Sequence, residues 1–138
     1  MTGLTPLPGK EITMTATLSK QDLLTSTLTT LRASLPELRG ALVATVDGLP
    51  IAKAMNDGTD ANRVAAMAAT ALGLGKRIND TLGSGQLTDM SVGGMDGQVY
   101  IYAAGNKGVL AVVAPTGVNL GLLHMEARDA AQSVASIL

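Results

Sequence analysis

Leu24, Leu28, Leu31 and Leu35 recur at spacings of four, three and four residues, with threonines between them. That spacing gathers the leucines on one stripe of a helix. Ser19 and Asp22 supply an N-cap and a first-turn acid. Pro36 ends the helix, because the residue before a proline avoids the helical region. From Gly40 the period shortens. Ala41 to Val46 and Leu49 to Met55 are apolar runs separated by Asp47-Gly48, the strongest short hairpin signal. Strands are therefore expected at 40–46 and 49–55. Asn56-Asp57-Gly58 breaks the second strand, and Thr59 or Asp60 caps a long helix running to Leu82. After Gly83-Ser84-Gly85 come three more strands, Leu87–Gly93, Gln98–Ala104 and Val109–Ala114. Met95-Asp96-Gly97 and Gly105-Asn106-Lys107-Gly108 turn one into the next. Asn119 caps a last helix that carries Leu120, Leu123, Ala127, Ala130, Val134 and Ile137 on one stripe.

The order is α-β-β-α-β-β-β-α. Every strand-to-strand link is short, so the class is α/β (α+β) with one five-stranded antiparallel sheet. The first and fifth strands are apolar at nearly every position, which requires both faces of the sheet to be covered. The sheet is thus sandwiched between one helix, the second, and a pair made of the two terminal helices. Residues 1–18, punctuated by Pro6, Pro8 and Gly9, read as a flexible tail without periodicity, and residues 19–138 as one domain.

The long second helix has no charged outer face in its first three turns. At 100° per residue, Val64, Met67, Ala68, Ala71, Leu74, Gly75, Ile78 and Leu82 share one side, which is expected to pack on the sheet. The opposite side carries Ala65, Ala66, Ala69, Thr70 and Gly73, with Lys76, Arg77 and Asp80 only near the end. A helix that is apolar all round is usually covered all round. Ala65, Ala66, Ala69, Thr70, Gly73, Lys76 and Arg77 are therefore the expected contact surface for a second molecule or a second copy of the chain. Leu87, Met90 and Val92 would be wasted on a solvent-exposed edge strand, so the third strand is expected to pair with its own copy.

Composition narrows the function classes. Charged residues make up 15% of the 138 residues and the net charge is −1, against about 25% charged residues in a typical domain. Scattered Lys and Arg with two tyrosines and no Phe or Trp offer neither an electrostatic track nor stacking platforms for nucleic acid. Cysteine is absent, which removes disulfides, thiol nucleophiles and thiolate metal sites. No apolar run reaches the ~18 residues of a membrane span, and the expected location is cytoplasmic.

No catalytic constellation emerges. The single histidine, His124, has Met125, Glu126 and Arg128 as neighbours on an amphipathic helix and reads as a helix-flank residue rather than a general base. Asn56 to Asp60 lacks the downstream glutamate and spacing of a calcium loop. Leu72 to Lys76 lies inside a helix and is followed by Arg77, unlike a phosphate loop. Tyr100 and Tyr102 share one face of the fourth strand and read as core filling with hydroxyls at its edge. No catalytic residue, metal site or cofactor is expected.

The run GVLAVVAPTGVNLGLLHMEARDAAQSV, Gly108 to Val134, resembles the closing strand and helix of roadblock/dynein light-chain domains of bacterial type. The strand VLAVVA, the NLG at Asn119 to Gly121 and the EAR-AA at Glu126 to Ala131 carry the likeness. Gly40 to Ile51 and the element order fit it too, so that it spans roughly residues 19 to 138. The resemblance implies a roadblock/profilin-like fold and a homodimer. The third strands would pair into a ten-stranded sheet and the second helices would meet on one face. It also implies a non-enzymatic regulator or scaffold for a Ras-like small GTPase, possible activation included. Activating relatives arrange the GTPase's own catalytic groups. Here Arg63 and Arg77 stand at the two ends of the second helix, and neither is read as a finger. The alternative is a structural adaptor in a larger signalling or motility complex, without effect on GTP hydrolysis.

Overall fold

The computed structural model describes residues 19–56 and 58–138, so the tail expected over residues 1–18 lies outside the described residues. Three helices and five strands follow in the expected order: α1 (Lys20–Ser34), β1 (Gly40–Thr45), β2 (Pro50–Met55), α2 (Ala61–Leu82), β3 (Asp89–Gly93), β4 (Gln98–Ala104), β5 (Gly108–Ala114) and α3 (Leu120–Ile137).

Local chemistry sets the ends. The Ser19 hydroxyl accepts from the Asp22 amide at 3.0 Å while the Asp22 carboxylate accepts from the Ser19 amide, a reciprocal capping box. Asp60 and Asn119 cap α2 and α3 through their side chains. Gly83 ends α2 in the left-handed region at φ 67°, where a side chain would be strained. Gly48 does the same work in the first hairpin at φ 90°.

The strands lie in the order β2-β1-β5-β4-β3, all neighbours antiparallel. β2 and β3 are the two edges. The third strand starts two residues later than expected. Thr88 still accepts from the Ala103 amide at 3.1 Å, but Leu87 has left the ladder.

Each face of the sheet has its own core. On one side α1 and α3 bury Leu24, Leu28, Leu31, Leu123, Ala127 and Val134 against Val43, Tyr100, Tyr102, Leu110 and Val112. On the other side α2 sets Ala65, Ala68 and Leu72 against Leu42, Ile101, Val109 and Ala111. On the sheet side of that second layer Leu42, Ile101 and Val109 stand beside the smaller Ala44 and Ala111, and the helix comes closest where its own residues are small. Gly75 marks the tightest approach. A Cβ built there would stand 3.0 Å from Leu87 and 3.1 Å from the Met90 sulfur.

Candidate interaction surface

α2 packs through a face turned from the expected one: Ala68 and Gly75 meet the sheet as expected, joined by Leu72 and by Ala65, which was expected outside. Ala65 is fully buried, with Ala68, Leu72 and Gly75 on the same stripe. The large residues expected to form the core contact point away from the sheet instead. Met67 is 57% exposed and Leu74 55%, with Ile78 and Leu82 exposed beside them. The reason is volume: one leucine and a row of alanines fill the space above Leu42 and Ile101, and a row of Met, Leu and Ile would not fit. Ala65 is thereby removed from the contact surface expected for a partner. Ala69 is half-buried, while Ala66, Thr70, Gly73, Lys76 and Arg77 are exposed.

The exposed side of α2 therefore carries two adjacent strips. One is an apolar ridge of exposed Met67, Leu74 and Ile78 with the half-buried Val64 and Ala71. The other, about 100° further round the helix, holds Ala66, Thr70, Gly73 and Arg77. Gly73 sits on the second strip with no atom within 4 Å of a built Cβ. Gly73→Ala should stabilise the fold by about 1 kcal/mol, the helix-propensity difference alone, measured by urea unfolding.

Beside the ridge, α2 leaves part of the sheet uncovered. A groove of about 490 Å³ runs there, lined by Met67 and Ala71 of the helix and by Met55, Val92, Val99 and Val113 of the strands. Arg39 stands at its rim. Ridge and groove lie side by side on one face.

β3 completes this surface. Met90 and Val92 stand opposite Ile101 and Val99 and so share the α2 side of the sheet. Leu87 and Met90, expected in the strand contact between copies, are half-buried beneath Gly75. Val92 is more than half exposed. The turn that follows carries Met95, 96% exposed. On the opposite side of the sheet Asp89 is held by Arg128 of α3 at 3.2 Å.

The chemistry around His124 is structural. Its Nδ1 lies 2.7 Å from the Tyr102 hydroxyl, and both Tyr100 and Tyr102 meet its ring edge-on. The Tyr100 hydroxyl donates to Gln98. Both tyrosine hydroxyls thus find partners at the edge of the core, as expected, whereas the link to His124 was not legible because the two residues lie 22 positions apart. Burial pushes the Tyr102 hydroxyl well above its ordinary range, Asp89 and Tyr100 push the same way, and Arg128 opposes them. The folded chain therefore holds this proton more tightly than the unfolded one, and stability should fall as pH rises above about 10. Tyr102→Phe should flatten that alkaline fall while costing about 1 kcal/mol at neutral pH, measured by thermal unfolding between pH 8 and 11.

Among the described residues no three His, Cys, Asp or Glu side chains cluster as a metal site, and no helix is long and apolar enough to cross a membrane. Asp60, part of the superficially calcium-like run, is occupied in capping α2.

Residues 24–114 match the Roadblock/LC7 domain model. The chain belongs to the Roadblock/LC7 family. An uncharacterized protein of Methanocaldococcus jannaschii is 33% identical over 100 residues, covering 72% of this chain and 87% of the relative. The fold is shared with the gliding protein MglB of Thermus thermophilus, at a TM-score of 0.76 and 17% identity, over 87% of this chain and 91% of that one. Profilin IB of Acanthamoeba castellanii shares it more distantly, at a TM-score of 0.59 and 14% identity, over 81% of this chain and 96% of profilin. The five-stranded antiparallel sheet between one helix and two, expected from the element order, and the roadblock/profilin-like fold that the resemblance implies are thus the observed architecture.

Proposed function

We propose that this Roadblock/LC7 chain is a non-enzymatic homodimer that binds a Ras-like small GTPase, through one strip of α2 for its own copy and the neighbouring strip for the GTPase. The observation that carries the reading is the apolar ridge of α2, exposed beside an apolar groove and an unpaired strand edge. Exposed Met, Leu, Ile and Val in one contiguous patch favour a protein contact.

The ridge is close to symmetric about Ala71. Val64 and Ile78 lie seven residues to either side, and Met67 and Leu74 four and three. Two such helices crossing antiparallel at Ala71 bring Val64 to the partner's Ile78 and Met67 to the partner's Leu74. A two-fold contact requires this self-complementarity, and a small residue at the crossing allows close approach. The same two-fold pairs β3 with its copy and extends the sheet to ten strands, removing the bare edge. Val92 joins the contact, while Leu87 and Met90 support it from inside.

Ala66, Thr70, Gly73 and Arg77 remain uncovered in that dimer, side by side on the two helices, with Lys76 at the end of the helix. This small-residue strip with a basic end is the proposed GTPase face, supported by the GTPase partnership that the family resemblance implies. Thr70→Glu adds bulk and charge there and touches neither core nor ridge. Binding of a Ras-like GTPase from the same organism should weaken at least tenfold in titration calorimetry, with the dimer mass unchanged. Equal binding by the variant would remove this strip from the reading. Comparing GTP hydrolysis with and without the protein separates activation from scaffolding.

A further inference from the structure

The hydrogen bonds of β3 limit how two copies can meet at its open edge. The Ala103 amide donates to the Thr88 carbonyl at 3.1 Å, and the Gly94 amide to the Gly97 carbonyl at 2.8 Å. Antiparallel strands bond at alternate residues, so Thr88, Met90, Val92 and Gly94 are turned to β4. Asp89, Ser91 and Gly93 therefore present their N–H and C=O groups to the open edge. Two copies related by a two-fold axis satisfy all three residues only when the axis passes Ser91. That register sets Asp89 opposite the partner's Gly93 and Met90 opposite the partner's Val92, so no carboxylate faces another.

The same register carries the turn after β3 past the start of the partner's β3. Gly94 falls opposite the partner's Thr88, and Met95 beside the partner's Leu87. There the chain has left the sheet for α2: Leu87 lies beneath Gly75, and the ladder on β4 reaches no further than Thr88. Beyond that point the end of β4 borders an open cleft of about 1060 Å³ between the second half of α2 and α3, with Leu87, Tyr102 and Ala103 in its wall. Its charges balance, Lys76 and Arg128 against Asp80 and Asp129, so a neutral side chain suits it better than a charged one. Met95 is such a side chain. It is 96% exposed in its own protomer, held out between Gly94 and Gly97, and an unbranched thioether adapts to an irregular gap.

We propose that in the homodimer the Met95 turn of each copy docks in the cleft of the other, with Met95 against the partner's Leu87 and Ala103. The second copy thereby completes the cleft, and β3 fixes the register that brings the turn to it. The docking rests on the strand pairing of the proposed dimer and not on the GTPase.

Three measurements on the full chain test it. The chain has no cysteine, so a single introduced one reports the register. Ser91→Cys should cross-link to its own copy on mild oxidation, because directly paired residues at a hydrogen-bonded position have Cα atoms about 5.5 Å apart, within reach of a disulfide. Met95→Ser should weaken self-association at least about tenfold in sedimentation equilibrium, while Met125→Ser, which trims another exposed methionine on α3, should leave it unchanged. In dimers mixed from isotope-labelled and unlabelled chains, the Met95 methyl should show a filtered NOE to the partner's Ala103 methyl. A wild type at the single-chain mass would overturn the dimer and the docking together. A Ser91→Cys dimer that does not cross-link would overturn the register and the docking with it. A wild-type dimer that Met95→Ser leaves equally tight, or one that lacks the NOE, would overturn the docking alone.

Discussion

Leu72→Ala should cost the fold about 2–5 kcal/mol and lower the melting temperature by roughly 10 °C or more. Leu72 is 1% exposed and is the one large side chain that α2 sends into its own core. Its neighbours on that stripe are Ala65, Ala68 and Gly75, so no nearby large residue can swing in to fill the hole. The partners left behind include Ile101 and Val109 of two central strands, and the sheet is too rigid to collapse around the loss. Leu74→Ala, two residues on, is the control. It trims an exposed side chain and should leave the stability of an isolated protomer within about 0.5 kcal/mol. Denaturant unfolding at protein concentrations low enough to dissociate any dimer checks both.

The same pair of leucines separates fold from association. Leu74→Asp should leave the protomer folded and weaken self-association about 10³-fold. The proposed two-fold brings Leu74 against the partner's Met67, so each dimer would bury two carboxylates without partners. At about 2 kcal/mol or more for each buried unsatisfied group, the pair gives about 4 kcal/mol, or three decades in Kd. Val92→Lys should act in the same direction through the strand edge, where inward charge is the usual guard against pairing.

These two predictions turn on α2, whose packing face is turned from the expected one: Ala68 and Gly75 lie inside as expected, while Met67 and Leu74 lie outside and Ala65 inside. Helix and strand boundaries came out within two residues because they rest on local chemistry: Ser19 and Asp22, Asp47-Gly48, Pro36, and the glycine after Leu82. Those groups act on their own neighbours and need no knowledge of the tertiary structure. The side of α2 that meets the sheet is different. Two stripes on that helix have helical spacing, Val64-Met67-Ala71-Leu74-Ile78 and Ala61-Ala65-Ala68-Leu72-Gly75. Hydrophobicity favours the first as core, but the choice belongs to the sheet. Leu42, Ile101 and Val109 already occupy the layer, and Leu87 and Met90 rise to meet the helix at Gly75. Only the small stripe fits above them. The signal that pointed to it was the second stripe itself, interrupted by a single leucine. Leu87 and Met90, expected at a strand contact between copies, also pack against their own α2 at Gly75.

That turn of the helix strengthens the expectation of a partner while changing which residues meet it. A small-residue strip left facing solvent would be a weak invitation. A ridge of Met, Leu and Ile beside a groove of about 490 Å³ is a costly surface to leave in water. Ala66, Thr70, Gly73 and Arg77 keep the place assigned to them on the outer side, and Ala65 leaves it. The link from Tyr102 to His124 and the ion pair from Arg128 to Asp89 hold α3 to β4 and to the start of β3. They tie the edge strand to the rigid layer behind it.

The most direct test of the central claim is the molar mass of the full chain at micromolar concentration, measured by light scattering on wild type and Leu74→Asp. The expected mass is about 28 kDa for the wild type, twice the 14.0 kDa chain, and the single-chain mass for a variant whose circular dichroism is unchanged. A wild type that runs at the single-chain mass, or a Leu74→Asp variant that stays at twice that mass, would contradict it.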